Sequence, residues 1–376
     1  MGCLEGLPVV EHGHEPSCLM ADILSEAQFG TNHWRLSRFK QFYYQFVRPL
    51  LPSFLRTPLR TLLLSRQRNG FALNWPTEDR YVRFQFEIVA RLMANNQLNS
   101  IPYIHFWPAE KRFAFVLTHD IETGDGQYYV REVAALEERY GFRSLFNFVP
   151  EKYHVEPDLL SELKERGFEV GVHGLKHDGR LFSSKAVFDA RAKRINGYLK
   201  QWDVVGFRSP MTHRNPEWMQ ALDIEYDLSF FDTDPFEPIP GGSMSIWPFQ
   251  MGRFVELPYT LAQDHTLMVT LGETSPRLWL EKIEFIQKYC GMALLNAHPD
   301  YLRNHAYFAI YEDFLKQMSQ REDYWHALPR DVARWWRKRA QLNIDDGFDD
   351  LQTSLPGATI GSIRLAKDGI EIDLQK

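Results

Sequence analysis

The sequence predicts an α/β protein in which a barrel of parallel strands follows a helical appendage and precedes a β-hairpin tail. Three observations support this fold class. From Lys111 onward, short apolar runs alternate with amphipathic stretches, which is typical of parallel strands joined by crossover helices. The first ~105 residues contain few strand-like runs and many aromatic, Leu and Arg residues. The last residues alternate between apolar and polar on both sides of a Lys-Asp-Gly turn.

The predicted strands are six apolar runs, and most of the predicted helices lie between them. About six strand-helix units are enough for a barrel rather than a small open sheet. The strands are RFAFVLT (112–118), RSLFNFV (143–149), FEVGVH (168–173), VVGFRSP (204–210), YDLSFF (226–231) and MALLNAH (292–298). The helices cover 127–141, 156–167, 183–202, 275–291 and 328–342, and the hairpin covers 358–366 and 370–374.

Changes in amino-acid composition and hydrophobic pattern along the chain predict three regions. Residues 1–105 form the helical or extended appendage, 106–345 the barrel and 346–376 the tail. Within the appendage, residues 39–70 contain six Lys and Arg residues and no acid. Such a basic amphipathic segment can lie on an anionic membrane surface, or it can pack on the barrel as an arm with its arginines in solvent. Both interpretations stay open.

Composition and charge favour a cytoplasmic protein that does not bind nucleic acid. The formal net charge of −6 gives no general attraction to nucleic acid. Three cysteines are too few for a disulfide framework, and no secretion signal or membrane-spanning run is recognisable. We therefore expect the cytoplasm, with peripheral association at the inner face of the membrane through residues 39–70 as a further expectation.

Two carboxylates follow the first predicted strand of the barrel. In a barrel of this kind the catalytic groups lie at the C-terminal ends of strands. Because side chains alternate along a strand, Asp120 and Glu122 share one face while His119 points the other way. Two like charges this close need a compensating cation, and a divalent metal supplies it.

Histidines and an arginine end the other apolar runs. His173 and His177 are four positions apart in HGLKH, a spacing that can bring both imidazoles to one side of a helical turn, with Gly174 allowing a bend. Arg208 ends VVGF, and His298 ends MALLNA. Each feature alone is common, but their joint placement at consecutive strand ends indicates a metal site with catalytic groups beside it.

These motifs resemble those of the polysaccharide deacetylases with the NodB-homology domain, carbohydrate esterase family 4, over roughly Pro102 to Ala340. LTHDIET resembles the first motif in its D-x-D form, which implies that Asp120 is the general base and that Glu122, in place of the usual aspartate, binds the metal. HGLKHDGR is similar to the second motif, whose two histidines, here His173 and His177, complete the metal ligands.

Three further motifs follow in the family's order. GFRSP resembles the third motif, which implies that Arg208 holds the base and keeps it charged. DTDPFEP falls where the fourth motif is expected, and it implies that Asp232 or Asp234 tunes the catalytic histidine. LLNAHPD resembles the fifth motif, which implies that His298 is the general acid.

The segment after the third motif is the predicted substrate side of the site. Pro210 shapes the turn there, and His213 lies close enough in sequence to reach a bound substrate. Met211 and Thr212 stand where the family often has an aromatic residue and a glycine. We therefore expect Pro210 and His213 to contact the substrate, while a purely structural role for His213 stays open; the two departures from the family pattern concern the substrate pocket more than the type of reaction.

The resemblance implies a distorted barrel of fewer than eight strands and a metal-dependent hydrolase. The expected reaction removes an acetyl group from an N-acetylated amino sugar of a glycan or polysaccharide precursor, as in exopolysaccharide biosynthesis. The expected substrate is an acetylated glycan or a lipid- or nucleotide-linked sugar, and the expected cofactor is zinc, with cobalt or nickel as alternatives. Two other functions stay open: an O-acetyl esterase acting on a glycan, and a non-catalytic glycan-binding barrel.

Overall fold

One large sheet curls into a barrel in the computed structural model, which describes residues 16–30, 33–36, 40, 67–344, 348–367 and 369–373. A smaller sheet of three strands accompanies it. The described strands are β1 (Ser100–Ile104), β2 (Phe113–Ile121), β3 (Leu145–Phe148), β4 (Glu169–His173), β5 (Gly206–Arg208), β6 (Tyr226–Asp227), β7 (Phe249–Met251), β8 (Phe254–Glu256), β9 (Met292–Ala297), β10 (Tyr324–His326), β11 (Ile360–Ala366) and β12 (Gly369–Asp373).

Parallel strands form the barrel wall in the order β9-β2-β3-β4-β5-β6-β8. β9 and β3 lie on opposite edges of β2, because Thr118 and His119 pair with both strands. The segment after β8 closes the ring, since the backbone N–H groups of Thr260 and Leu261 donate to the carbonyl of Leu294 at 3.2 and 3.1 Å. Closure through a few bonds rather than a full ladder makes this a distorted barrel, as the family resemblance implied.

Helices surround the barrel and connect its strands. Their sequences carry the expected end signals: Thr123 and Ser184 accept hydrogen bonds from the first-turn N–H groups of the two helices that they precede, and Gly141 follows the first of these with a φ of 82°. The described helices are α1 (Pro16–Leu24), α2 (Arg80–Asn95), α3 (Gly124–Arg139), α4 (Pro157–Glu165), α5 (Lys185–Trp202), α6 (Pro216–Met219), α7 (Arg277–Lys288), α8 (Pro299–Leu302), α9 (His305–Met318), α10 (Pro329–Arg339) and α11 (Phe348–Ser354).

Side chains of the barrel strands divide into two buried layers. In β2, the odd-numbered residues such as Phe115 and Leu117 pack outward against the helices, whereas Val116 packs inward. Inward residues of the other strands, including Leu145, Val255 and Leu294, join Val116 in a second cluster inside the barrel. Because both faces are covered, most residues of these strands are apolar, and an inward polar residue is therefore informative.

The smaller sheet joins parts of the chain that are distant in sequence. β11 pairs antiparallel with β1 on one side and with β12 on the other. The predicted C-terminal hairpin is therefore present, and a strand from residues 1–105 extends it. The division of the chain at 105/106 and 345/346 stays a prediction.

Two further expectations concern the appendage and membranes. Helices α1 and α2 give the appendage the helical character that was expected. The basic segment 39–70 lies outside the described residues except for Lys40 and residues 67–70. Among the helices of the described ranges, none is both long enough and apolar enough to span a membrane.

Candidate metal and catalytic site

Polar side chains replace apolar ones inside the barrel at the C-terminal ends of its strands. Thr118 and Asp120 continue the inward face of β2 beyond Val116, and Asn296 continues that of β9 beyond Leu294. Asn147 of β3 and Arg208 of β5 face the same interior, since both contact the carboxylate of Asp120. The strand alternation therefore builds a polar layer on top of the apolar core.

Asp120 lies at the centre of this layer and is 2% exposed. Its Oδ1 accepts hydrogen bonds from Asn147 Nδ2 at 3.0 Å and Arg208 Nη1 at 3.2 Å, and its Oδ2 accepts one from Asn296 Nδ2 at 3.0 Å. Burial alone would raise the pKa of Asp120, but the neighbouring Arg208 guanidinium outweighs it, aided by the electrostatic interactions with His173 and His298, and lowers that pKa below its ordinary value. The carboxylate is therefore ionised and held in place.

Arg208 is fully buried and uses its whole guanidinium group. Nε donates to the carbonyl of Leu228 at 2.9 Å, Nη2 to Thr118 Oγ1 at 3.0 Å and Nη1 to Asn296 Oδ1 at 2.5 Å, besides its bond to Asp120. These contacts fix its plane, so its charge stays beside Asp120. The role that the resemblance implied for Arg208, holding the base, fits this geometry.

Glu122, His173 and His177 form a cluster suited to a metal ion. Each offers one ligand atom, and these atoms lie within 4.8 Å of one another. His173 Nδ1 is 3.1 Å from the carbonyl of Arg208, to which it donates, so Nε2 is the nitrogen left for a metal. His177 Nε2 lies 2.9 Å from Glu122 Oε1. Two imidazoles and a carboxylate are a donor set that fits zinc, cobalt or nickel.

The connection between the two histidines differs from the predicted helical turn. Gly174 and His177 have φ values of 63° and 51°, and the segment between them is irregular. A Cβ added to Gly174 would lie 2.4 Å from Pro210 Cδ, so the close approach of this proline requires glycine. The loop still brings the rings together, with 5.2 Å between their centroids. Spacing alone predicted the proximity correctly and the backbone wrongly.

His298 follows β9 and is held by a buried aspartate. Asp264 Oδ1 lies 2.7 Å from His298 Nδ1, and Asp264 Oδ2 accepts the backbone N–H of His298 at 2.8 Å. Burial opposes protonation, but the charges of Asp264, Glu122 and Asp120 raise the pKa of His298 to about 10. The imidazole is therefore protonated at neutral pH and faces the two carboxylates of the site.

The carboxylate that contacts His298 belongs to Asp264 and not, as expected, to Asp232 or Asp234. Asp232 Oδ2 lies 2.5 Å from Lys282 Nζ in a buried ion pair. Asp234 accepts hydrogen bonds from the hydroxyl of Tyr259 at 2.9 Å and from the backbone N–H of Phe236 at 2.7 Å. The prediction from motif order is therefore wrong. Both aspartates lie in the long buried segment after β6, and their carboxylates bind Lys282 and Tyr259 instead of His298.

Pro210 and His213 line a small pocket beside the metal ligands. The lining of the pocket also includes His177, Asp178 and Arg191. His213 is 4% exposed, and its Nε2 makes no hydrogen bond with any described residue. Burial, aided by the charge of Arg214, lowers the pKa of His213 to about 3, so the imidazole is neutral.

Sequence reasoning missed Asn147, Asn296 and Asp264. The sequence did contain a signal for the two asparagines, because each is a polar residue at an inward position of a mostly apolar strand. Asn147 lies beside Asp120 on the neighbouring strand, and Asn296 lies two positions before His298. No comparable signal marks Asp264, which precedes an irregular helical turn at His265–Thr270 rather than ending a strand.

Comparisons with known proteins agree with this fold. No protein-family model matches the chain, and no curated protein matches it in sequence. A protein from Mycobacterium smegmatis named as a polysaccharide deacetylase has a similar structure, with a TM-score of 0.53 at 19% identity over 63% of this chain and 94% of that one. Another from Pseudomonas aeruginosa PAO1, also named as a polysaccharide deacetylase, gives 0.52 at 14% over 64% and 96%.

A differently named neighbour has the same architecture. The Puue allantoinase gives a TM-score of 0.50 at 14% identity and covers 62% of this chain and 93% of that one. The barrel is therefore of the polysaccharide-deacetylase fold, as the sequence motifs predicted. Proteins with this fold have different names, so the fold alone does not identify the substrate.

Proposed function

We propose that this protein is a metal-dependent deacetylase that hydrolyses the acetyl amide of an N-acetylated amino sugar in a glycan or its precursor. One observation carries the proposal. A cluster of two histidines and a carboxylate lies beside an ionised buried carboxylate, Asp120, and a protonated imidazole, His298. A base, an acid and a metal-binding cluster together are needed for hydrolysis and not for glycan binding alone.

The metal-binding residues would be Glu122, His173 and His177. A divalent ion held by them, zinc being our expectation and cobalt or nickel the alternatives, would supply Lewis-acid stabilisation of the negative charge that develops on the acyl oxygen. Three protein ligands leave coordination positions open, which is typical of catalytic rather than structural sites. His173 is oriented for this role by the carbonyl of Arg208.

Asp120 and His298 have the ionisation states that proton transfer requires. Asp120, kept charged by Arg208, would accept a proton from the attacking water. His298, kept protonated by Asp264, would donate one to the departing nitrogen. Pro210 and His213 would contact the sugar in the adjoining pocket, where the neutral imidazole can exchange a hydrogen bond with a hydroxyl or an amide.

The direct test measures acetate release by the zinc-loaded protein. The panel contains N-acetylglucosamine oligosaccharides, a nucleotide-linked N-acetylamino sugar and an O-acetylated xylan. Asp120→Asn and His298→Ala should each lose about 10²-fold or more in turnover while keeping the fold by circular dichroism. Asp125→Asn is the control, because Asp125 is exposed and pairs with Arg303.

Three outcomes decide between the proposal and its alternatives. Release from the xylan alone would identify an O-acetyl esterase. Glycan binding without any acetate release would identify a binding barrel. Full turnover by Asp120→Asn would contradict the assignment of the base.

A further inference from the structure

A buried ion pair connects the N-terminal appendage to the wall of the candidate site. Glu26 follows α1, and its carboxylate oxygens lie 2.5 Å from Nε and Nη2 of Arg214. The side chains are 5% and 2% exposed, respectively. Glu26 Oε1 also accepts the backbone N–H of Gly242 at 2.7 Å. The pair is therefore fully enclosed by protein.

Arg214 supports the loop that contains Pro210 and His213. Its Nη1 donates to the carbonyl of Thr212 at 2.8 Å, and its guanidinium lies 4.3 Å from the ring centroid of Phe231. Met211 and Thr212 have φ values of 59° and 52°, which residues other than glycine rarely adopt. Such a backbone conformation persists only where its surroundings hold it, and the bond to the Thr212 carbonyl is one such restraint.

The same loop is connected to the general base through buried side chains. Thr212 Oγ1 donates to Glu237 Oε2 at 2.7 Å, and Gln263 Nε2 donates to Glu237 Oε1 at 2.5 Å. Gln263 Oε1 accepts from Asn296 Nδ2 at 3.1 Å, and that amide also donates to Asp120. A continuous series of hydrogen bonds thus runs from the appendage to the catalytic layer.

We infer that Glu26 is a positioning residue of this active site. It fixes Arg214, and Arg214 fixes the loop that presents His213 to the substrate. The inference rests on the proposed function and extends it, because it makes the N-terminal appendage a working part of the enzyme. Neutralising Glu26 would leave the charge of Arg214 buried and unpaired, so the loop would move rather than keep its conformation.

The experiment compares Glu26→Gln with a matched control in the same appendage. Glu78 is also fully buried, and its carboxylate pairs with Arg80 at 2.6 Å and accepts the backbone N–H of Asn74. Glu78→Gln therefore perturbs the appendage without touching the loop. We expect kcat/KM to fall about tenfold or more in Glu26→Gln, mainly through KM, and less than about twofold in Glu78→Gln, at a similar loss of Tm.

Two further measurements separate positioning from loss of stability. The pH profile of kcat should keep both limbs in Glu26→Gln, because Asp120 and His298 keep their direct partners. Glu26→Asp retains the charge, so its KM should lie between those of the wild type and Glu26→Gln. Equal effects of the Glu26 and Glu78 variants on kcat/KM, or a KM of Glu26→Asp as high as that of Glu26→Gln, would overturn the inference.

Hydrogen exchange tests the loop without turnover. The backbone N–H groups of Thr212 and His213 bond to the carbonyls of Ser209 and Pro210 at 3.1 and 3.3 Å, so their exchange reports on the loop. Exchange of peptides covering 209–216 should rise in Glu26→Gln and not in Glu78→Gln. A wild type that releases no acetate contradicts the proposed function, whereas unchanged exchange in Glu26→Gln contradicts the role of Glu26.

Discussion

The side chains of Asp120 and Arg208 at the centre of the site stay ionised although the surrounding protein excludes water. Asp120 and Arg208 are 2% and 0% exposed, and each would be costly to bury alone. Each lowers that cost for the other, and three amide or hydroxyl side chains and the carbonyl of Leu228 satisfy their remaining hydrogen bonds. The same arrangement fixes the direction of the Asp120 carboxylate, as its proposed role as the base requires. Charge pairing therefore explains both the stability of this layer and its chemistry.

Glu122→Asp should weaken metal binding although aspartate is the commoner family residue. The backbone N–H of Glu122 is fixed by Asp300 Oδ2 at 3.0 Å, so the shorter side chain would withdraw its carboxylate from His177. Metal–oxygen distances of about 2.0 to 2.2 Å leave little slack for this change. We expect the affinity of the apo-protein for zinc, titrated by calorimetry, to fall about tenfold or more. Tighter binding with faster turnover would instead identify Glu122 as a degraded ligand.

Asp264→Asn should move the basic limb of the pH profile to lower pH. Asp264 is the largest contribution that raises the pKa of His298 toward about 10. In the proposed mechanism the protonated form of His298 is the active one, so activity should be present below its pKa and be lost as the pH rises through it. A bound cation lowers that pKa in both proteins, and removing Asp264 lowers it by roughly 1–3 further units. Profiles of kcat that coincide would exclude this role for Asp264.

At the scale of strands and loops, the apolar runs predicted the barrel well because both faces of its strands are buried. All six predicted runs contain a strand of the structure. β8 was missed because Glu256 interrupts its short apolar run, and β10 because its residues are only half-buried. Strand ends also located Asp120, His173, Arg208 and His298.

Loops carry the part of the site that local patterns could not give. Asp264 reaches His298 from an irregular segment, and its partnership depends on how β9 and the closing segment pack together. The Asp232 and Asp234 expectation failed for the same reason, since nothing in the local sequence assigns those carboxylates to Lys282 and Tyr259. Pairing between distant segments is a tertiary property.

Glu169→Gln should remove a pH dependence of stability that originates at the N-terminal end of β4. Burial raises the pKa of Glu169 to about 7, against the hydrogen bonds from Tyr226 and the N–H of Arg330. Because the folded-state pKa lies above the unfolded value, the folded state holds more protons between the two, and stability falls as the pH rises through this window.

We expect the free energy of unfolding of the wild type to fall by about 1–3 kcal/mol more than that of Glu169→Gln between about pH 5 and pH 8. Urea titrations of both proteins at the two pH values measure the difference. The exposed Glu371 provides the control substitution, Glu371→Gln. Parallel pH dependence in all three proteins would contradict the assignment.

For the molecule as a whole, we propose that residues 39–70 associate with anionic membranes. The segment contains basic residues and no acid, and each basic residue near the surface contributes up to ~1 kcal/mol. Liposome co-sedimentation should be strong at low salt and weak at high salt for the wild type. A variant with Arg56, Arg60 and Arg66 changed to Gln should bind less. Equal binding of the wild type and the variant to the liposomes would contradict the membrane proposal and favour the alternative, in which residues 39–70 pack on the barrel as an arm.

The pairing of β1 with β11 also has a consequence for how the protein is made. Ile104 pairs with Ile360, so the first strand leaves the ribosome long before its partner exists. Every barrel strand from β2 to β9 is synthesised between them and can pair earlier. Until translation nears its end, β1 presents an open edge to neighbouring nascent chains. We therefore expect the interval between the synthesis of β1 and that of β11 to be the stage at which β1 can pair with another nascent chain instead of its own partner.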